Sequence, residues 1–411
     1  MTTASRVVPA GELGTFRGGS GFPVKHQGRK SGDLPFFKVS DMNSAGNELF
    51  MSRANNYISE SRRKALGAVR IPAGAIIFAK VGAAVFQERK RILVHDSCID
   101  NNMAAFIVDE KQIDVRFAHY LLTAFKMSDL VAVGALPSLN GGQLRSIELL
   151  VPEELTEQKR IAAVLQDADD LIVTLERLIA KKQAIKQGMM QQLLTGRTRL
   201  PGFTGAWTEL AVARHSEVKA RIGWQGLKTD EYRESGTHRL VGGTEFVDGH
   251  INWNRAPFVD KWRYDQDKYI KLRIGDVLLT KDGTIGKTAF VDALPGPATL
   301  NSGVFVIRPV RCAYDPAFLF WMLRSRAFDE FLGRLTAGST ISHLYQRDLV
   351  TLVLRVPPSI EEQESISGVL RQAEDEISSL QRRLSKARAI KTGMMQQLLT
   401  GRVRLPVEAS A

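Results

Sequence analysis

The chain has 411 residues, enough for two or three domains with ordinary hydrophobic cores. Hydrophobic residues make up 44% and charged residues 24%, which is typical of a globular protein and excludes a disordered or membrane-embedded chain. The formal net charge of +12 favours an anionic partner, most commonly nucleic acid, although a basic surface without such a partner explains the charge equally well.

Cysteine and histidine usage argues against a zinc site, because Cys98 and Cys312 lie far apart and the seven histidines form no ligand-spaced cluster. Two cysteines also fit a reducing compartment. The first 20 residues lack the apolar core of a signal peptide, and no window reaches the roughly 18 apolar residues of a membrane helix. We therefore expect a soluble, cytoplasmic protein that binds no metal.

The first segment, residues 1–151, contains short apolar runs bounded by Gly or Asn. GAIIFAK (residues 74–80) and MAAFIV (residues 103–108) are typical of strands. The glycine-rich run FRGGSG (residues 16–21) lacks the spacing of a dinucleotide-binding turn and is interpreted as a loop. This segment is predicted to be a mixed α/β domain with a largely antiparallel sheet.

Residues 152–201 are predicted to form a long helix. Its apolar positions step by 4, 3, 4, 3 and 4, which is the seam of a two-stranded coiled coil: Ile161, Leu165, Ala168, Ile172, Leu175 and Ile179. The helix starts after a proline-bearing strand end (LLVPEEL) and stops at the Thr-Gly of LLTG, where glycine supplies the cap. Roughly 38 helical residues at about 1.5 Å each give a rod of about 57 Å.

The second segment, residues 207–356, repeats the pattern of the first. Residues 272–283 (LRIGDVLLTKDG) align with residues 71–82, and residues 318–323 (FLFWML) align with residues 117–122. GVFVIRP (residues 303–309) is typical of another strand. This segment is therefore predicted to be a second mixed α/β domain, related to the first but much less similar than the helices are to each other.

Residues 357–406 repeat the first helix at a constant offset of 205 residues. The two 50-residue stretches are identical at 28 positions, and GMMQQLLTGR (residues 188–197) recurs unbroken at 393–402. The seam recurs as well, at Ile366, Leu370, Ala373, Ile377, Leu380 and Leu384. We predict that the two helices pair within one chain; the alternative is that each pairs with another chain. Residues 407–411 are a short tail.

Motifs of independent catalysis are missing from the sequence. Gly286-Lys287-Thr288 resembles the end of a phosphate-binding loop, but residue 281 is Lys where that pattern needs Gly, so we interpret it as a strand turn. Residues 100–103 (DNNM) lack the prolines and the aromatic residue of an amino-methyltransferase tetrad. We expect that the chain is not an enzyme by itself and binds no cofactor.

The residues at this point resemble a known family, the specificity subunits of type I restriction-modification systems. The resemblance rests on the domain–helix–domain–helix order, the Glu-Gln pairs at the helix starts (157–158 and 362–363) and the LLTGR helix ends. It also rests on GDVLLTKDGTIGK (residues 275–287) and RIGWQGL (residues 221–227). One departure is visible, because FTGAWTEL (residues 203–210) introduces the second domain whereas the first begins without such a lead-in.

The resemblance implies an α+β fold: two target recognition domains, 1–151 and 207–356, separated by helical spacers, 152–201 and 357–406, that pair as an antiparallel coiled coil. It implies a circular pseudo-twofold repeat, with Leu405 and Pro406 near Leu13. It also implies that each domain reads half of a split double-stranded DNA site. Two methyltransferase subunits and the restriction motor-nuclease subunits would dock on the chain, and S-adenosylmethionine, ATP and Mg²⁺ would bind to those partners.

Basic and polar residues of the two domains are candidates for DNA contact. The candidates for phosphate contact are Lys80, Arg89, Lys90, Arg91, Lys219, Arg221, Lys228, Lys281 and Lys287. The candidates for base edges lie in turns: Asn101, Asn102, Ser138, Asn140, Gln143, Thr284, Ser342, His343, Tyr345 and Gln346. Each of the polar residues is also explained as a loop residue satisfied by its neighbours.

Two other functions remain open from the sequence. A coiled-coil DNA-binding regulator or scaffold would bind one symmetric site without any methyltransferase. A stand-alone methyltransferase with recognition domains would need the cofactor and catalytic motifs that the sequence lacks.

Overall fold

The structure is a computed structural model and describes residues 5–131, 137–223, 226–336 and 343–406. The chain forms two compact units. Unit 1 comprises Met1–Glu176 and Arg383–Ala411, and unit 2 comprises Arg177–Arg382. Each unit therefore contains one α/β portion and one piece of each long helix.

The described residues of unit 1 begin with ten strands and three short helices. The strands are β1 (Ser5–Pro9), β2 (Gly14–Gly18), β3 (Leu34–Phe37), β4 (Phe50–Met51), β5 (Tyr57–Ile58), β6 (Ile76–Ala79), β7 (Lys90–Leu93), β8 (Cys98–Ile99), β9 (Met103–Val108) and β10 (Glu148–Pro152). The helices are α1 (Glu60–Ala65), α2 (Val115–Ala124) and α3 (Gly141–Arg145), followed by the long helix α4 (Leu155–Leu193).

Unit 2 contains eleven strands among its described residues. They are β11 (Thr208–Ala211), β12 (Ser216–Ala220), β13 (His238–Val241), β14 (Phe246–Val247), β15 (His250–Ile251), β16 (Phe258–Val259), β17 (Val277–Thr280), β18 (Thr288–Phe290), β19 (Ala298–Leu300), β20 (Val304–Pro309) and β21 (Val353–Val356). The helices are α5 (Val212–His215), α6 (Lys261–Asp265), α7 (Pro316–Met322), α8 (Arg326–Thr336), α9 (Gln346–Leu349) and the long helix α10 (Ile360–Leu398).

The two units use related sheets. In unit 1 a five-stranded sheet has the order β2-β9-β6-β7-β4, and in unit 2 a four-stranded sheet has the order β12-β20-β17-β18. Each unit adds a three-stranded sheet, β5-β3-β8 or β16-β13-β19, in which one neighbouring pair is parallel. A two-stranded antiparallel pair, β1–β10 or β11–β21, precedes each long helix. The prediction of largely antiparallel α/β domains is confirmed.

The structure contradicts one interpretation of a short glycine-containing sequence and confirms another. Residues 16–18 of the glycine-rich run were interpreted as a loop, which is wrong, because they pair with β9 as the edge strand β2. Gly286-Lys287-Thr288 lies at the hairpin between β17 and β18, so its interpretation as a strand turn is confirmed.

The buried helices α2 and α7 start in the same way. The Asp114 carboxylate accepts a hydrogen bond from the Phe117 N–H at 2.9 Å, and the Asp315 carboxylate accepts one from the Phe318 N–H at 2.8 Å. A carboxylate at this position satisfies a free N–H of the first turn, which explains why both helices begin where they do. Phe117 and Phe318 are each 1% exposed or less and belong to the main core of their units.

The long helices contribute to both cores. In unit 1, Ile161 and Leu165 from the start of α4 belong to the same hydrophobic cluster as Leu398 and Leu399 from the end of α10. In unit 2, Ile366 and Leu370 from the start of α10 belong to one cluster with Met190 and Leu193 from the end of α4. Leu165 and Leu370 are each 0% exposed, so burial in these clusters accounts for the apolar residues near the starts of the two long helices.

Each long helix has 39 residues, close to the predicted length. Gly196 and Gly401 follow the last turns with φ of +69° and +66°, a backbone conformation that favours glycine, so the predicted glycine caps are confirmed. Among the described residues, no helix is long and apolar enough to cross a membrane.

Candidate nucleic-acid interface

The ends of β6 and β17 form the same backbone arrangement in the two units. In unit 1 the Lys80 N–H donates to the Asn102 carbonyl, and the Lys80 carbonyl accepts from the Leu139 N–H, both at 2.8 Å. In unit 2 the Lys281 N–H donates to the Gly303 carbonyl at 2.9 Å, and the Lys281 carbonyl accepts from the Leu344 N–H at 2.8 Å. We call each arrangement a lysine corner.

The lysine corner of unit 1 gathers predicted polar residues. Ser138 bridges Val81, and Asn101 and Asn102 are exposed beside Lys80. Asn140 and Gln143 follow and cap α3 reciprocally, since the Asn140 side-chain oxygen accepts from the Gln143 N–H at 2.9 Å and the Gln143 side-chain oxygen accepts from the Asn140 N–H at 3.0 Å. The cap holds the turn after Ser138 in one conformation.

The lysine corner of unit 2 presents different side chains. His343 forms an ion-pair contact with Asp282, and its ring centroid lies 4.5 Å from that of Tyr345. Tyr345 is 47% exposed. The exposed residues Thr284 and Lys287 lie in the hairpin, which the Thr280 hydroxyl tightens by donating to the Thr284 carbonyl at 2.6 Å. Ser342, the remaining predicted base-reading residue here, lies outside the described residues.

The edge strand beside each corner carries a cation that is equivalent in register. Lys219 on β12 pairs with Val306, and Arg17 on β2 pairs with Ala105 at the corresponding position of β9. A Cβ added at Gly18 would lie 3.0 Å from the Lys80 ammonium nitrogen, which places that ammonium over the end of β2. Arg17, the residue before Gly18, is exposed on the opposite face of β2 and is a cation that the sequence analysis missed. Alignment of FRGG with VKAR would have identified it.

A second surface that the sequence analysis missed adjoins the corner of unit 2. Trp262 is 58% exposed, with the Arg263 guanidinium 4.4 Å from its ring centroid. Tyr269 is 48% exposed, and the ammonium groups of Lys219 and Lys268 lie 5.2 and 5.1 Å from its ring centroid. We call residues 261–271 the aromatic–basic segment. Its sequence, KWRYDQDKYIK, interleaves cations and aromatic rings, which is the signal that could have identified it.

The aromatic–basic segment is continuous with the lysine corner. The Gln346 side chain donates to the Val218 carbonyl at 3.3 Å, which places it next to Lys219, and Lys219 in turn lies over Tyr269. The Arg263 guanidinium donates two hydrogen bonds of 2.7 Å to the Glu231 carboxylate. This pair fixes the guanidinium that supports the Trp262 ring.

Two of the predicted phosphate-contacting residues are buried. Arg221 is 1% exposed and donates to the Leu300 carbonyl at 2.9 Å and to Thr299 and Gln266 at 3.2 Å. Lys90 is 2% exposed, donates to the Phe125 carbonyl at 3.1 Å and is paired with Glu88. Burial lowers the pKa of both cations. Because internal partners occupy them, neither can reach a phosphate without breaking the core, and the expectation for them is corrected.

Three other residues predicted to contact phosphate, Arg91, Arg89 and Lys228, lie outside the lysine corners. Arg91 is half-buried and lines a pocket together with His119 and Asp169, away from the lysine corner. Arg89 donates to the Gln87 side chain at 2.6 Å, and Lys228 is exposed in the loop before Glu231. Among the described residues no group of His, Cys, Asp or Glu is arranged to hold a metal ion.

This geometry defines a class of protein: two related α/β units, each with a cationic corner, carried on repeated helices and holding different side chains around the same lysine. The family model for the type I restriction modification DNA specificity domain matches residues 5–187 and 227–387. The chain therefore belongs to this family, and the resemblance seen in the sequence is confirmed. It is a DNA-recognition component of a type I restriction-modification system and is not catalytic by itself.

Curated relatives come from Methanocaldococcus jannaschii. The putative type I restriction enzyme MjaX specificity subunit is 24% identical over 373 residues, covering 85% of this chain and 83% of the relative. The type I restriction enzyme MjaVIII specificity subunit is 26% identical over 287 residues, covering 66% and 65%.

Solved structures share the fold. The type I restriction-modification S subunit from M. genitalium has a TM-score of 0.64 at 13% identity and covers 97% of this chain and 96% of its own. The HsdS subunit from Thermoanaerobacter tengcongensis has a TM-score of 0.50 at 17% identity and covers 98% of each chain.

Proposed function

We propose that residues 1–151 and 207–356 are two target recognition domains, each reading one half of a bipartite, asymmetric double-stranded DNA site. The observation that carries this proposal is the repeated lysine corner. Its backbone is the same in both units, while its side chains are asparagines and serine in one and histidine and tyrosine in the other. A shared cation suits the uniform phosphate backbone, and unlike neighbours suit unlike bases.

The residues that contact phosphate differ from those predicted from the sequence, because Arg221 and Lys90 are buried and Arg17 is added. Lys80 and Arg17 serve unit 1, and Lys281 and Lys219 serve unit 2, with Arg89, Lys228 and Lys287 at the periphery. Base edges are read by Asn101, Asn102 and Ser138 in one half and by Thr284, His343, Tyr345 and Gln346 in the other. The side chains of Asn140 and Gln143 are engaged within the domain and fix the turn that carries Ser138. The aromatic–basic segment extends the second surface, and exposed rings supply apolar contact to bases.

Residues 152–201 and 357–406 are the spacers, which pair as an antiparallel coiled coil in a circular pseudo-twofold repeat. Burial of most seam positions supports the pairing, namely Ile161, Leu165, Leu175, Ile179, Ile366, Leu370, Ile377 and Leu380. The closure of the circle is supported by Leu405, which packs against the cluster that contains Leu13. It is supported as well by the Arg404 guanidinium, which donates to the Ser5 hydroxyl at 3.5 Å.

The repetition of the spacer sequence, which is identical at 28 of 50 positions and unbroken over 188–197 and 393–402, favours two equivalent docking surfaces. Two methyltransferase subunits occupy them, and the restriction subunits join this complex. S-adenosylmethionine binds to the methyltransferase subunits, and ATP with Mg²⁺ binds to the restriction subunits. This chain therefore selects the DNA sequence and does not carry out the reaction.

The test is a map of methylated bases in the host genome with and without this gene. We expect one motif to disappear on deletion, composed of two unlike half-sites separated by a fixed number of base pairs. A motif that persists, or a single symmetric site that the purified chain binds without any methyltransferase, would instead favour a DNA-binding regulator.

A further inference from the structure

A buried glutamine joins the α/β portion of unit 1 to its long helix. Gln158 lies in the first turns of α4 and is 0% exposed. Its side-chain oxygen accepts from the Asp114 N–H at 2.8 Å. Its side-chain nitrogen donates to the carbonyls of Pro152 at 2.8 Å and Gln112 at 3.1 Å. One amide therefore ties α4 to the end of β10 and to Asp114, the residue that caps α2.

The same connection recurs in unit 2. Gln363 lies in the first turns of α10 and is 2% exposed. Its side-chain oxygen accepts from the Asp315 N–H at 2.9 Å, and its nitrogen donates to the Pro357 carbonyl at 2.8 Å. The glutamine amide carries its acceptor and its donor on two separate atoms at the end of a flexible, uncharged side chain, so it makes both bonds at once.

A second tie holds the same buried helix farther along. In unit 1 the Tyr120 hydroxyl of α2 donates to the Asp169 carboxylate of α4 at 2.8 Å. The Lys391 ammonium of α10 lies 2.5 Å from that carboxylate and 5.7 Å from the Tyr120 ring centroid. In unit 2, Lys186 of α4 pairs with Glu374 of α10 and lies 6.0 Å from the Trp321 ring centroid of α7. In unit 1, α2 is thus held to α4 at two points, and in unit 2 the Trp321 ring of α7 lies beside the Lys186–Glu374 pair that joins the two long helices.

We propose that Gln158 and Gln363 are positioning residues that fix the orientation of each recognition domain on its long helix and thereby set how strictly the complex selects one spacer length. The inference rests on the proposed function, because it needs two half-sites read at a fixed separation. If the recognition domain were attached to the long helix at one point, it could still rotate about that point. Attachment at two points along one buried helix prevents this rotation. Both glutamines are inaccessible to solvent, so water cannot replace the bonds when they are removed.

The test uses the full chain in complex with its methyltransferase subunits. Methylation is measured on duplexes that carry the wild-type half-sites with the native spacer and with one base pair more or fewer. For the double variant Gln158→Met, Gln363→Met, which keeps side-chain length and removes the bonds, we expect the preference for the native spacer to fall about tenfold, the ratio that one net hydrogen bond sustains. Base selectivity within each half-site should stay unchanged.

The matched control is Gln183→Met with Gln372→Met, the same chemical change at exposed positions of the same helices, which should leave the preference unaltered. Should the buried variants fail to fold, Tyr120→Phe with Lys186→Met removes the second set of contacts and is expected to loosen spacer selection in the same direction. A folded variant that keeps the wild-type preference, or loses methylation equally on all three duplexes, would overturn the positioning role. A wild-type complex without any spacer preference would instead overturn the proposed bipartite reading.

Discussion

Lys281 is the residue whose surroundings support a phosphate contact most strongly. Its backbone is fixed on both sides by hydrogen bonds to Gly303 and Leu344, while its ammonium lies 5.6 Å from the Phe305 ring centroid. Such a cation is preorganised, because only its side chain has to adjust when DNA binds. Lys80 occupies the same place in unit 1.

For Lys281→Ala we expect weaker binding to all DNA sequences, because a phosphate contact carries no sequence information. The slope of log K against log salt should become shallower by about 1. Binding of the methyltransferase complex to specific and random duplexes over a salt series measures this, with Arg326→Ala, an exposed arginine on α8, as the control. A change of sequence preference at constant salt slope would contradict the phosphate role.

Trp262 should act on one half-site only, because the aromatic–basic segment belongs to unit 2 and the corresponding stretch of unit 1, residues 60–70, has no aromatic residue. For Trp262→Ala we expect selectivity to fall about tenfold at one or two positions of that half-site, the lower range for a lost base contact. Methylation of duplexes with single base changes reports it. Equal losses in both half-sites would show a general defect in stability.

At the scale of residues, the sequence correctly indicated a basic and polar interface but identified only some of the residues that form it. A lysine or arginine in a polar stretch gives no sign of whether internal carbonyls will satisfy it, and for this reason the burial of Arg221 and Lys90 could not be foreseen. The contribution of Arg17 depends on strand register, which brings residues about 90 positions apart into one pair. Lys281, by contrast, lies in a motif that occurs in both domains, so its position in one domain could be predicted from the other.

The long helices were the most predictable elements, because their heptad spacing and glycine caps are local features. Their seam should carry much of the stability of the units. Leu165 and Leu370 are both 0% exposed, so alanine at either should lower the free energy of unfolding by about 2–5 kcal/mol.

Chemical denaturation of each single variant measures that loss. Leu171→Ala on α4, the helix that carries Leu165, is the matched control. Leu171 is 47% exposed, so its truncation should lower the free energy of unfolding only slightly. Equal effects at the seam and at Leu171 would argue against a packed seam.

Helix length should determine the spacing of the half-sites. Removal of residues 172–178 together with 377–383 deletes one heptad from each long helix and preserves the seam, while shortening each by about 10.5 Å. At 3.4 Å per base pair, the preferred spacer should shorten by about three base pairs, or methylation should be lost. Sequencing of methylated sites reads out the spacer directly. An unchanged spacer would refute the idea of a helical ruler.

At the scale of the whole molecule, the internal duplication is extensive in the helices and limited to a few short motifs in the domains. The side chains around the lysine corners differ between the two domains, but the hydrogen bonds that fix the corners are made by the backbone and are retained. Backbone bonds place little demand on side-chain identity, so the structure extends the likeness beyond the shared motifs. Recognition can then change in one half while the scaffold persists.

The central claim is that each domain reads its own half-site, and a chimaera tests it most directly. The chimaera replaces residues 207–356 with a second copy of residues 1–151 between the unchanged helices, and methylated sites are mapped in a host that supplies the methyltransferase. We expect a symmetric site in which the half-site of the first domain occurs twice in inverted orientation. Methylation of the original asymmetric site by the chimaera would contradict it.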